Sequence, residues 1–259
     1  MFAFFEIVGL SLIRFFEYIG SLVLLFLETL AFIGRGMIRV GLTINQMSFL
    51  GVNSLSIVIM TTTFAGMVMS LQLAHIAVRY GVSNVVGGGV AIAMCRELGP
   101  MLTAIVVAGR AGAAITAEIG TMKVTEQISA LITMAVSPVR YLVVPRFLAL
   151  TVMVPVLTLF SNLAGVMGGA VVAFQSAGIP YSTFFDSVDR LTEMEDVYKG
   201  LFKAMIFGMQ VCLVACYQGL TTPRGAAGVG QATTGSVVVS MIIIFITNYF
   251  LSAWLFPVN

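Results

Sequence analysis

The chain has 259 residues, 59% of them hydrophobic and 9% charged, with a mean hydropathy of +1.05 and a formal net charge of +2. An ordinary soluble domain carries about 25% charged residues, so a soluble globule is excluded. A net charge this small, with its basic residues spread along the chain, also argues against a surface that gathers nucleic acid.

A helix needs roughly 20 apolar residues to cross a hydrocarbon core. The uncharged stretches are 40–78, 98–109, 147–185, 204–223 and 225–259, and the short second one joins the apolar 81–95 across Arg96 and Glu97. Five spans are therefore expected, all α-helical, in one membrane domain covering 1–259. The opening MFAFFEIVGLSLIRFF has an early acid and no small-residue cleavage site, so it is expected to stay on the mature protein.

In residues 1–40, Glu6, Arg14, Glu17, Glu28, Arg35 and Arg39 fall within an arc of about 80° on a helical wheel. A narrow charged stripe on an apolar cylinder describes a helix lying in the interface plane. The competing reading is that 18–33 cross the membrane, which buries Glu28 without an evident partner. Gly34 and Gly36 mark a break after this helix.

Span one is expected at 50–74, with Asn45, Gln46 and Ser48 before it and His75, Arg79 and Tyr80 just past its end. Span two is expected at 86–118. Gly87, Gly88 and Gly89 open it, suggesting close packing or an unwound stretch, and Pro100 should kink it. Residues 121–136, TMKVTEQISALITMAV, read as a short amphipathic helix too polar to span, with Thr125 as its cap. Span three is expected at 143–172, with Pro155 as a kink and Gly165, Gly168 and Gly169 as close-packing positions. The segment 175–203 is polar and holds Asp186, Asp189, Glu193, Glu195 and Asp196. Span four is expected at 204–220, a Gly-rich loop at 221–235, and span five at 236–256 with Trp254 as an interfacial anchor. The bias of Lys and Arg flanking the spans favours a cytoplasmic amino terminus, an outside carboxyl terminus and a cytoplasmic 121–136 helix.

Ionised groups in or beside hydrocarbon are costly unless paired or wetted, so those between Arg96 and Leu131 mark where function should be sought. Arg96 and Glu97 are adjacent and point about 100° apart. Either each finds a partner on another helix, or both line a wet or headgroup-filled cavity, where a guanidinium suits a phosphate. Arg110 and Glu118, with Lys123, read as an ion network clamping the bent helix to the cytoplasmic segment. Cys95, Cys212 and Cys216 read as packing residues, and His75 alone supplies too few ligands for a metal. No Ser-His-Asp set, HExxH, paired-Cys motif or GxxxxGK[ST] loop is present, so neither catalytic residues nor a bound cofactor are expected in this chain.

The residues RELGP, AGRAGAAITAEIGTMKVTEQISAL, Pro145-Arg146 and GVGQATTGSVV (Gly228 to Val238) resemble the MlaE-type permeases of ABC lipid transporters, over about 45–256. The resemblance implies an interfacial amino-terminal helix (1–40), a five-span permease core (45–256) and a cytoplasmic coupling helix after span two. It implies a homodimer in the bacterial inner membrane with two cytoplasmic ATPase subunits that bind ATP and Mg. An MCE-type lipid-binding protein outside and a small accessory cytoplasmic subunit are the other partners implied. The implied substrate is a glycerophospholipid, moved between the inner membrane and the MCE carrier for outer-membrane lipid homeostasis. By the same resemblance Thr125, Glu126 and Gln127 meet the ATPase, while Arg96, Glu97, Leu71, Gln72 and His75 border a lipid cavity. The alternatives are a proton-coupled secondary lipid transporter, with Glu97 carrying the proton and no ATPase, and a lipid-modifying enzyme, which lacks a nucleophile and base set.

Overall fold

The computed structural model describes residues 2–257, with all side chains except those of 2–8, 11, 14 and 15. Among the described residues the chain is an all-α bundle. Its helices are α1 (Phe2–Gly34), α2 (Val40–Arg79), α3 (Ser83–Val124), α4 (Gln127–Thr133), α5 (Val139–Ala177), α6 (Tyr181–Leu191), α7 (Met194–Leu220) and α8 (Ala226–Leu255). Six carry windows long and apolar enough to cross a membrane: α2, α3, α5, α7, α8 and the Phe16–Gly34 part of α1. This is a multi-pass, all-α integral membrane protein.

The long helices are not uniform. Single π-turns interrupt α2 at Met47–Gly51 and α3 at Met94–Leu98 and Ala108–Gly112, and another opens α5 at Val139–Val143. Such turns insert one residue into the α-helical ladder and turn side chains to new directions, and they concentrate at functional sites. Arg96, Glu97, Arg110 and Arg140 all lie on them.

The helices run past the ends expected of them. The second span extends to Val124 instead of stopping at Glu118, so α4 begins only at Gln127 and is shorter than the 121–136 stretch. The third span covers Val139–Ala177, and the polar 175–203 segment folds into α6 and the first turns of α7. The Gly-rich 221–235 is mostly helix, because α8 starts at Ala226. At the extended end of α3 Glu118 is paired with Arg146 and Gly120 lies against Thr222, whereas Gly230 and Gly235 of α8 stand in open space inside the helix.

The seam between α2 and α5 is the most extensive in the bundle. A methyl group on Gly66 would run into the Gly165 carbonyl, and Ser70 Oγ donates to the Gly169 carbonyl at 2.7 Å. Small residues let the two backbones touch, which is how helices bind where burial against lipid gives no driving force. Gly87 and Gly88 serve α6 likewise: Phe184 and Ser187 sit against them, and the Gly88 amide donates to Ser187 Oγ at 2.9 Å. α7 packs on α5, α3 and α8.

α1 meets the bundle through Tyr18, edge-on to Tyr217 at 5.1 Å, and Phe26, 6.0 Å from Phe147. Just beyond it, the Arg39 guanidinium lies 4.9 Å over Tyr141. These partners belong to the last turn of α7 and the first turns of α5. The contacts of Tyr18, Phe26 and Arg39 hold α1 and the turn after it against α7 and α5. Glu17, Glu28, Arg35 and Arg39 are exposed; Glu6 and Arg14 of the expected stripe lie outside the described side chains.

Candidate functional site

Two clusters of ions sit on α3, one a third of the way along at Arg96 and one near its end at Glu118, 22 residues or about 33 Å apart at 1.5 Å per residue.

At the first, each member of the adjacent pair has a separate partner. Arg96 Nε donates to Asp196 Oδ1 at 2.8 Å. The other oxygen of Asp196 accepts the Glu193 amide at 3.3 Å and so closes the capping box that starts α7. Glu97 takes hydrogen bonds from Lys203 Nζ (3.0 Å), Asn248 Nδ2 (2.9 Å) and Ser252 Oγ (2.7 Å), binding α3 to both α7 and α8. Lys203 is wholly buried. Pro100 lacks the amide hydrogen that the carbonyl four residues back, that of Arg96, would accept in an α-helix. Lys203 Nζ donates to that carbonyl instead, at 2.9 Å, and also to Ser252 Oγ at 2.9 Å. The Phe256 ring closes the cluster, with Arg96 Cζ 4.9 Å, Lys199 Nζ 5.3 Å and Lys203 Nζ 5.8 Å from its centre.

The side chains of Arg96 and Glu97 are nevertheless 37% and 38% exposed, so pairing on one side leaves the other side open. The two Nη nitrogens of Arg96 make no hydrogen bond among the described residues. Leu71, Gln72 and His75 are exposed on α2, and no hydrogen bond or ion pair links them to Arg96 or Glu97 among the described residues.

At the other end α3 turns sharply into α4. Glu126 takes a left-handed backbone, φ +59, and its carboxylate accepts from Ser129 Oγ at 2.5 Å. Gln127 Nε2 donates to Thr125 Oγ1 at 3.0 Å. Thr125 does not cap α4: its hydroxyl donates back to the Thr121 carbonyl at 2.8 Å, and the cap position is Glu126. Ile132 and Met134 are 61% and 64% exposed, an apolar surface beside the polar corner.

Arg110, Glu118 and Lys123 do not join into one network. Arg110 Nη1 reaches Ser54 Oγ at 2.8 Å and the Phe49 carbonyl at 3.2 Å, tying a π-turn of α3 to the irregular stretch of α2. Glu118 pairs with Arg146 of α5 at 2.8 Å. Lys123 has no ion pair among the described residues. Eight residues place Arg110 and Glu118 on one side of an ideal helix, but the π-turn at Ala108–Gly112 and nearer partners on other helices separate them.

Lys203, Asp196, Asn248, Ser252 and Arg146 were not singled out as site residues by sequence. One signal was present: Pro100 removes a donor inside an apolar run, so a carbonyl there needs a donor from elsewhere. Among the described residues no group of three or more His, Cys, Asp and Glu is placed to hold a metal.

Comparison with known proteins agrees with this architecture. The family described as Permease MlaE matches residues 43–254. A probable ABC transporter permease protein of Synechocystis is 45% identical over 213 residues, 82% of this chain and 81% of that one. One from Rickettsia typhi is 39% identical over 253 residues, 98% of each chain. The Arabidopsis thaliana chloroplastic protein TRIGALACTOSYLDIACYLGLYCEROL 1 is 37% identical over 222 residues, 86% of this chain and 63% of its own.

Proposed function

Because the chain belongs to the MlaE permease family, we propose that it is the membrane-embedded half of an ABC transporter that moves glycerophospholipids between the bacterial inner membrane and an MCE-type carrier. An ABC permease implies ATPase partners, which removes the ground for the secondary-transporter alternative. ATP and Mg belong to those partners. The amino terminus and the α4 end face the cytoplasm, where the ATPases and a small accessory subunit bind at Thr125, Glu126 and Gln127. Two copies of the chain enclose the lipid, with Leu71, Gln72 and His75 on the cavity wall beside Arg96 and Glu97. ATP-driven closure pushes α4, α3 tilts on its π-turns, and the cavity narrows.

The observation that carries the reading is the Arg96 guanidinium, anchored through Nε to Asp196 and open at both Nη nitrogens on an apolar bundle. That fork matches a phosphodiester. The Arabidopsis relative bears the name of a diacylglycerol lipid with a sugar headgroup and no phosphate, which supports a glycerolipid as cargo and leaves the phosphodiester to rest on Arg96. The test places the chain and its cognate ATPase in liposomes with fluorescent phosphatidylethanolamine. ATP-dependent lipid movement is expected, slowed about tenfold or more by Arg96→Ala through loss of a charged hydrogen bond. Undiminished movement in Arg96→Ala, with the assembly intact, rules out Arg96 as the headgroup contact.

A further inference from the structure

We propose that the Glu118–Arg146 ion pair is a positioning element that makes α3 and α5 move together when the motor pushes on α4. The inference rests on the coupling reading above and names residues that reading does not use.

α4 is poorly anchored by packing: of its residues only Ile128 is buried. At its entry a cleft of about 680 Å³ opens between α2 (Leu42, Gln46), α3 (Glu118, Thr121) and α5 (Tyr141, Arg146), with Gln127 at its rim. A push delivered beside such a cleft is absorbed by local collapse unless the helices that wall it are cross-tied. Arg146 supplies the tie. Its side chain is only 4% exposed, Nη2 meets Glu118 Oε2 at 2.8 Å, and Nη1 donates to the Leu142 carbonyl at 2.7 Å. One guanidinium thus grips α3 six residues before its end and the π-turn that opens α5, the two segments to which α4 is joined. Arg146 is buried whereas the Glu118 side chain is 48% exposed, so losing Glu118 leaves a buried guanidinium without its counter-charge, although water screens the outer face of the carboxylate.

The experiment uses the full chain with its cognate ATPase in liposomes carrying fluorescent phosphatidylglycerol, reading ATP hydrolysis and lipid movement together. Glu118→Gln is expected to keep hydrolysis within about twofold while lipid moved per ATP falls about tenfold, the scale of a lost coupling contact. The charge-swapped pair, Glu118→Arg with Arg146→Glu, is expected to recover part of that ratio. An unchanged ratio in Glu118→Gln overturns the proposal, as does a parallel fall in hydrolysis and movement, which would assign the pair to docking. Should Glu118→Gln not assemble, Arg146→Lys, which keeps the charge and loses the fork, is read in the same way. A wild-type assembly that hydrolyses ATP and moves no glycerophospholipid defeats the lipid reading alone. The tie is then read from spin labels at the exposed Val85 of α3 and Met167 of α5, whose distance is expected to stay constant through the nucleotide cycle in the wild type and to change in Glu118→Gln. A distance as constant in the variant as in the wild type overturns the tie.

Discussion

Lys203 joins three requirements at one position: it neutralises Glu97, supplies the donor Pro100 removes, and holds Ser252 of α8. Removing one partner of a buried pair costs about 3–5 kcal/mol, because the other is left charged and unpaired. Glu97 is 38% exposed and keeps Asn248 and Ser252, which places Lys203→Met towards the low end of that range. A clear drop in thermal stability in detergent is expected, and the double variant Glu97→Gln with Lys203→Met should lose less than the single one. A double variant weaker than Lys203→Met would mean that the pair is not the cause. Arg96 and Glu97 could be found by reading because ions in an apolar run are rare. Their partners could not, since Glu97 and Lys203 are 106 positions apart and only packing of α3 on α7 brings them together.

Among the elements, the α2–α5 seam depends on residues without side chains. Gly66→Val places a branched group where the Gly165 carbonyl lies. Overpacking of this kind typically costs about 1–3 kcal/mol and more where backbone must shift, so a lower unfolding temperature and lower yield are expected, while Gly109→Ala, in open space, should be neutral. The corner before α4 gives an opposite case. Glu126 sits at φ +59, a region glycine enters freely and β-branched residues avoid. Glu126→Gly should keep the fold despite losing the Ser129 contact, whereas Glu126→Val should lower stability in the same melt; equal melts would show that the corner relaxes. The density of glycine at 165–169 marked the seam in the sequence. The ends of helices were less legible, because a long helix carries charges and glycines through its interior, as α8 does at Gly230 and Gly235.

At the scale of the whole molecule, the direction of α1 decides how many times the chain crosses. Composition admits Phe16–Gly34 as a span, whereas on the interfacial reading α1 stays on the α4 side of the membrane. A cysteine at Glu17 is therefore expected to react with a membrane-impermeant maleimide from the same side as one at Ser129, and from the side opposite Asp189. Reaction of Glu17 from the Asp189 side would mean that α1 crosses. Hydropathy and charge are sums over one segment, so the sequence by itself determined a helical membrane protein, its apolar segments and the stretch from Arg96 to Leu131 as the place to look. Pairing is a property of two segments at once. Only the tertiary structure decided that Arg96 and Glu97 are tied on one side and open on the other, that Glu118 holds Arg146 and not Arg110, and that α1 packs on α5 and α7. Each of these depends on distances between residues that no local periodicity encodes.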